Sequence, residues 1–182
     1  MAWPVLLAVL YVGRAPAADD LQNESKMAID AFKKKDSTLN RFFAESAGYA
    51  VFPSVGKGGL IVGGAHGKGV VYEKDRVIGR ATMSQASIGA QAGGQSFAEV
   101  IFFDTPAALN DFKSGKFEMR AEVSAVAAAE GAAKTADYKQ GVAVFTLPKK
   151  GLMVQASIGG QKFKYEPEHL EPTGRPTPKT TE

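Results

Sequence analysis

The 182-residue sequence predicts an α+β fold, a curved or barrel-like antiparallel sheet with N-terminal helices and one inserted helix. Three observations predict it. Apolar residues at helical spacing are concentrated in Asp19–Ala47 and in a short stretch after Asp104. Most of the remainder alternates with period two, the signature of strands, and is rich in the chain's 20 glycines, which suits turns, bulges and strong curvature. A strand-like segment also recurs: Met83–Gln91 (MSQASIGAQ) returns as Met153–Gln161 (MVQASIGGQ), with seven of nine positions identical.

Ala2–Val12 is an apolar run too short to span a bilayer, and Ala15-Pro16-Ala17 offers an A-x-A cleavage site. Residues 1–17 are therefore expected to be a signal peptide, and the protein to be exported, periplasmic or secreted. A membrane anchor or a buried strand are the alternatives, and no Lys or Arg precedes the apolar run. Residues 18–166 are expected to form one domain and 167–182, rich in proline, a disordered tail.

Asp19–Lys35 is expected to be a helix: Leu21, Ala28, Ala31 and Phe32 fall near one face, acids come early, and Lys33-Lys34-Lys35 end it as the helix dipole prefers. Asp36-Ser37 can cap a second helix carrying Leu39, Phe42, Phe43 and Ala47, with Gly48 as its stop. Tyr49–Phe52 reads as a short strand ended by Pro53. Gly58–Tyr72 reads as a hairpin around a Gly-rich middle, Glu73–Arg76 as a polar turn, and Val77–Gln91 as the strand holding the first repeat copy. Gly93-Gly94 then turns the chain into Ser96–Phe103, whose run Val100–Phe103 suits a strand buried on both faces. Thr105-Pro106 is a helix start and Gly115 its end. Phe117–Ala127 alternates and is expected to be a strand despite its alanines. Ala128–Asp137 is a connector with about one helical turn. Val142–Leu147, Leu152–Ile158 and Gln161–Tyr165 complete the strands, with Pro148–Gly151 as a turn.

The repeat carries its own expectation. Ile88 and Ile158 should be buried, while Gln85 and Gln155 on the other face meet water or line a groove.

Composition narrows the function. The balance of 45% hydrophobic and 23% charged residues is that of an ordinary globular domain. With no cysteine, disulfides, thiolate metal sites and a Cys nucleophile are excluded. A formal charge of +3 is too small for a dedicated nucleic-acid binder. His66 and His169 stand far apart, so no metal-ligand set is expected. The glycines match neither the phosphate-loop nor the dinucleotide pattern, no G-x-S-x-G elbow exists, and no carboxylate pair stands out. Neither a catalytic residue nor a cofactor is expected.

Four motifs in order carry a family resemblance: Tyr49–Leu60 (YAVFPSVGKGGL), Val62–Val71 (VGGAHGKGVV), Gly89–Ser96 (GAQAGGQS) and Ser114–Phe117 (SGKF). Over Leu39–Tyr165 the chain resembles the SYLF domain, the lipid-binding module of yeast and animal actin-patch proteins, and is similar to its exported bacterial branch. The resemblance implies a non-enzymatic domain with a lipid-binding tendency and membrane contact through the N-terminal helical segment. The candidate lipid contacts are Lys33, Lys34, Lys35 and Arg41 for anionic head groups, with Phe42 and Phe43 as apolar partners if their helix detaches. Core packing is the alternative for both phenylalanines, and a solvated helix end for the lysines. The expected partner is an anionic lipid or membrane surface. The alternative is a structural or protein-interaction domain of the cell envelope without lipid binding.

Overall fold

The computed structural model describes residues 16–59, 62–88, 91–120, 123–150, 158 and 160–168. The fold is α+β: a seven-stranded, mostly antiparallel sheet with three α-helices. The helices are α1 (Pro16–Lys35), α2 (Asn40–Glu45) and α3 (Pro106–Lys113). The strands are β1 (Gly48–Gly59), β2 (Val62–Glu73), β3 (Arg76–Ile88), β4 (Gln91–Phe103), β5 (Val126–Ala127), β6 (Val142–Lys150) and β7 (Lys162–Pro167). Their order across the sheet is β5-β6-β4-β1-β2-β3-β7, with only β5 and β6 parallel.

The central strands are apolar on both faces, so each face needs its own cover. On one face Phe52, Met83, Phe97, Ile101 and Phe103 pack with α3 and with Phe163 of β7. On the other, Tyr49, Val51, Val70, Val100 and Phe102 lie beneath Ala28 and Phe32 of α1 and Phe42 and Phe43 of α2. A buried hydrogen bond from Tyr72 Oη to Ser25 Oγ (3.0 Å) ties α1 to β2. The β2–β3 turn uses Lys74 and Asp75 at φ 49° and 59°, the left-handed pair that a two-residue hairpin requires. Asp75 accepts a hydrogen bond from Tyr49 Oη (2.8 Å), which fastens that turn to β1.

Local signals stand where the sequence places them. Thr105 caps α3, its Oγ1 accepting from the Ala108 backbone N–H (3.2 Å), Pro106 opens the helix, and Gly115 leaves it at φ 72°. Asp36 caps a 3₁₀ turn, Ser37–Leu39, that leads into α2.

Several expectations are corrected. Pro53 does not end β1; it sits where the register with β2 and β4 shifts, and at such a bulge a missing N–H does no harm. Pro148 likewise lies inside β6 beside a register shift. The Gly-rich segment is no hairpin of its own: Val62–Glu73 is one continuous strand, and Gly93-Gly94 lie within β4 rather than at a turn. The glycines of β2 serve close packing, since a Cβ on Gly69 would come within 2.7 Å of the Phe52 ring and of the Val51 carbonyl.

Phe117–Ala127 is not a regular strand. Glu118 bridges to Lys162 of β7, Met119 exchanges backbone hydrogen bonds with Gly160 and Gln161 (2.8 and 3.0 Å), and Val126–Ala127 pair with β6. The alternating segment is thus bonded to both edges of the sheet.

The face of the first repeat copy is also the reverse of the expectation. Gln85 is buried on the side of Ala81 and Met83, whereas Ser84 is exposed. The inward residues of β3 continue one packed layer, and alternation alone does not say which of two faces that layer takes. Ile158 is buried, as expected, but outside any strand. The side chain of Ile88 and the segment 152–157 with Gln155 lie outside the described residues.

Gly69→Ala should cost about 1–3 kcal/mol, because backbone and a packed ring block the new methyl group. Gly56→Ala, whose Cβ would meet nothing, should stay within about 0.5 kcal/mol of the parent. Urea denaturation of both variants checks the contrast.

Candidate functional site

The lysines predicted to meet head groups form the last turn of α1. Lys34 and Lys35 are exposed; Lys33 is half-buried, its Nζ 4.8 Å from the centre of the Phe43 ring. Two influences favour cations here. The unpaired carbonyls of a helix C-terminus attract positive charge, and the ring face of Phe43 does the same for Lys33.

Asp36 follows directly and is fully buried. Its Oδ1 accepts from the backbone N–H of Thr38 (3.0 Å) and of Gly131 (3.1 Å), and its Oδ2 from that of Ala133 (2.8 Å). The Thr38 hydroxyl adds a further bond. Burial pushes the carboxyl pKa up, but these hydrogen bonds outweigh it and hold the group below its ordinary 3.8. One carboxylate thus joins the end of α1 to the 3₁₀ turn Ala132–Thr135, nearly a hundred residues away in sequence.

Arg41 reinforces the same junction. Its Nη2 donates to the carbonyls of Ala133 (2.8 Å) and Ala136 (2.6 Å), and its guanidinium lies 4.5 Å from the centre of the Phe42 ring. Phe42 and Phe43 are 2% and 7% exposed and pack on Phe102 at 5.4 and 4.8 Å between ring centres. In this conformation both rings are core, so their contact with lipid requires α2 to leave the sheet. The structure brings Lys33, Arg41, Phe42 and Phe43 into one packed junction and leaves Lys34 and Lys35 in solvent.

A second polar group lies inside the other layer. Glu99 and Gln161 are fully buried, with Gln161 Nε2 donating to Glu99 Oε2 at 3.0 Å. Buried Thr146 is the cross-strand partner of Glu99, and Gln85 is buried in the same layer of the sheet. Sequence reasoning passed over this group. The signal was one carboxylate in register with Phe97, Ile101 and Phe103 on an otherwise apolar strand face.

Beside the segment that joins the sheet edges, a cleft of about 410 Å³ is lined by Asp111, Lys116, Glu118, Arg120 and Gln140 among others. Its acids and bases are mixed, so it selects no single sign of charge. Among the described residues, no three His, Cys, Asp or Glu are placed to hold a metal ion.

The SYLF resemblance that the chain's motifs carry is supported over part of the chain. Residues 84–169, from β3 to just past β7, match the family model described as Ysc84, Las17-binding protein actin regulator. The chain is 33% identical over 153 residues to the beta cell expansion factor A of Aeromonas veronii, also a SYLF-family protein. That alignment takes in 77% of this chain and 57% of the relative, so the chain spans less than two thirds of that protein's length. The family is one of non-enzymatic binding domains.

Asp36→Asn should lower stability by roughly 1.5–3 kcal/mol at neutral pH, because hydrogen bonds to a charged acceptor are replaced by weaker ones. A carboxyl held low in the folded state contributes stability above its unfolded value and loses it as pH falls through the folded value. The gap between parent and variant should therefore close on acidification below the ordinary 3.8. Urea midpoints of both proteins at neutral and at acid pH check it.

Proposed function

We propose that this chain is an exported, non-enzymatic domain that binds anionic lipid at a membrane or envelope surface through its N-terminal basic helical segment. The observation that carries this reading is the end of α1, where exposed Lys34 and Lys35 stand beside Lys33. Lysines near an anionic leaflet each contribute about 1 kcal/mol of attraction. Among the described residues no helix is long and apolar enough to cross a membrane. Arg41 fixes α2 at the base of the segment, and Phe42 and Phe43 join the contact when α2 detaches.

A second reading is favoured by the family description, which names a protein, Las17, as what that family binds. In it, the domain holds a protein partner in the envelope and binds no lipid.

Co-sedimentation decides between them. The protein should pellet with phosphatidylglycerol-containing vesicles at low salt and not with phosphatidylcholine alone, and Lys33→Gln/Lys34→Gln/Lys35→Gln should weaken pelleting. Equal and negligible pelleting with both vesicles, together with a stable cross-linked protein partner, would establish the second reading.

A further inference from the structure

The β6 edge of the sheet is only partly closed. β5 pairs with it over Val126 and Ala127 alone, opposite Phe145 and Thr146. Val142, Val144 and Thr146 direct their backbone groups away from β4 at this edge. The groups of Val142 are exchanged with Lys139 (2.8 and 3.1 Å), and the Thr146 carbonyl accepts from the Ala128 N–H (2.8 Å). The parallel register gives the Val144 carbonyl to the Val126 N–H. The Val144 N–H has no acceptor among the described residues. Val144 is 2% exposed, and buried backbone donors are almost always paired.

Val144 lines a cleft of about 290 Å³ that opens where pairing with β5 has ended. Val123, Val126 and Val142 give this cleft apolar walls, and exposed Asp137 and Lys139 stand at its rim. Val123 and Val142 also line the 410 Å³ cleft described above, so the two adjoin and form one groove that continues past them to Phe117 and Arg120.

We infer that this groove is a docking site for an extended peptide segment of a partner protein, with a backbone carbonyl of the peptide accepting from the Val144 N–H and an apolar side chain entering between Val123 and Val142. The inference does not depend on lipid contact at α1. It rests on the second reading above, which calls for a protein partner, and gives that partner a surface and a form.

The chemistry of the groove selects the occupant. An unpaired edge N–H calls for an acceptor in the plane of the sheet, which is what an added strand supplies. At the rim Lys139 can donate and Asp137 can accept, so the groove favours neither a polyanion nor a polycation. It suits a chain that repeats a C=O and an N–H in every unit. The valine walls suit an apolar side chain, and the alternation of a strand sends the neighbouring side chains elsewhere. A nucleobase would call for an exposed ring face, yet Phe145, which lines the cleft, is fully buried. The Val144 carbonyl is already bonded to β5, so the peptide gains one main-chain bond here and pairs over a short length.

Amide NMR of the full ¹⁵N-labelled chain tests this. The probe is a mixture of capped pentapeptides, Ac-Ser-X-Thr-X-Ser-NH₂ with Val, Leu or Phe at X, and its counterpart with Gly at X. The apolar mixture should shift the Val144 amide proton downfield, as a new hydrogen bond does, and the Gly peptide should do so more weakly. Ser124→Trp, placed at an exposed position on the cleft, should fill it and weaken binding about ten-fold or more. A Val144 amide unmoved by millimolar peptide overturns the inference, and that measurement on the parent stands whether or not the variant folds. A cross-linked protein partner that a folded Ser124→Trp chain retains undiminished overturns it too and leaves the second reading intact. A chain with neither a partner nor a Val144 shift removes both.

Discussion

Adjacent phenylalanines on β4 organise this domain. Phe102 points to one face of the sheet, where its ring lies 5.4 Å from Phe42, 4.8 Å from Phe43 and 5.9 Å from Phe145. Phe103 points to the other, 4.9 Å from Phe112 and 6.2 Å from Phe117. Consecutive strand residues cannot share a face, so a strand that carries large apolar residues in succession demands a layer on each side. Burying one such ring stabilises by about 1.5–3 kcal/mol relative to leaving it exposed. From that demand follow α1 and α2 on one side, and α3, β7 and the segment before β5 on the other.

The second layer imposes a further condition. An open sheet leaves rows of unpaired backbone groups at its edges. Here both outer edges are met by one stretch: Glu118 and Met119 at β7, Val126 and Ala127 at β6. The same stretch supplies Met119 and Val123 to the core beneath it. Edge protection and core filling are therefore one structural event, and Gln161, whose carbonyl accepts from the Met119 N–H and whose side chain reaches Glu99, joins them.

Features written in neighbouring residues could be read in advance. The Thr105-Pro106 start, the Gly115 exit, the Asp36 cap and the Glu73–Arg76 turn need only a few residues each. Pro53, Pro148 and the glycines of β2 misled because they are locally breakers, and only the register shifts and the approach of Phe52 make them members of strands. Gln85 misled for a different reason: period two identifies two faces but not which is inside, and a polar residue at an inward position reverses the natural guess. The candidate site divides in the same way. Lys33–Lys35 is visible as a run and Asp36 as a cap. The bonds that Asp36 makes to residues 131 and 133, and the hold of Arg41 on the carbonyls of Ala133 and Ala136, depend on contacts across more than ninety residues.

Charge in this chain is sorted by structure rather than by composition. A formal +3 spread over 22 basic and 19 acidic residues says little about where a partner would attach. Folding commits some cations to internal duty: Arg41 is spent on backbone carbonyls and the Phe42 ring, and Lys33 leans on Phe43. Others become neighbours only through register: Lys68 and Lys164 are far apart in sequence and flank Thr82 from its two sides. Acids meet this charge in part, with Glu166 beside Lys164 at 2.9 Å and Glu118 in register with Lys162. Exposed ion pairs of this kind contribute little to holding the domain together. Lys33 and Arg41 differ in that both lie over buried phenylalanine rings and Arg41, though exposed, also holds the carbonyls of Ala133 and Ala136.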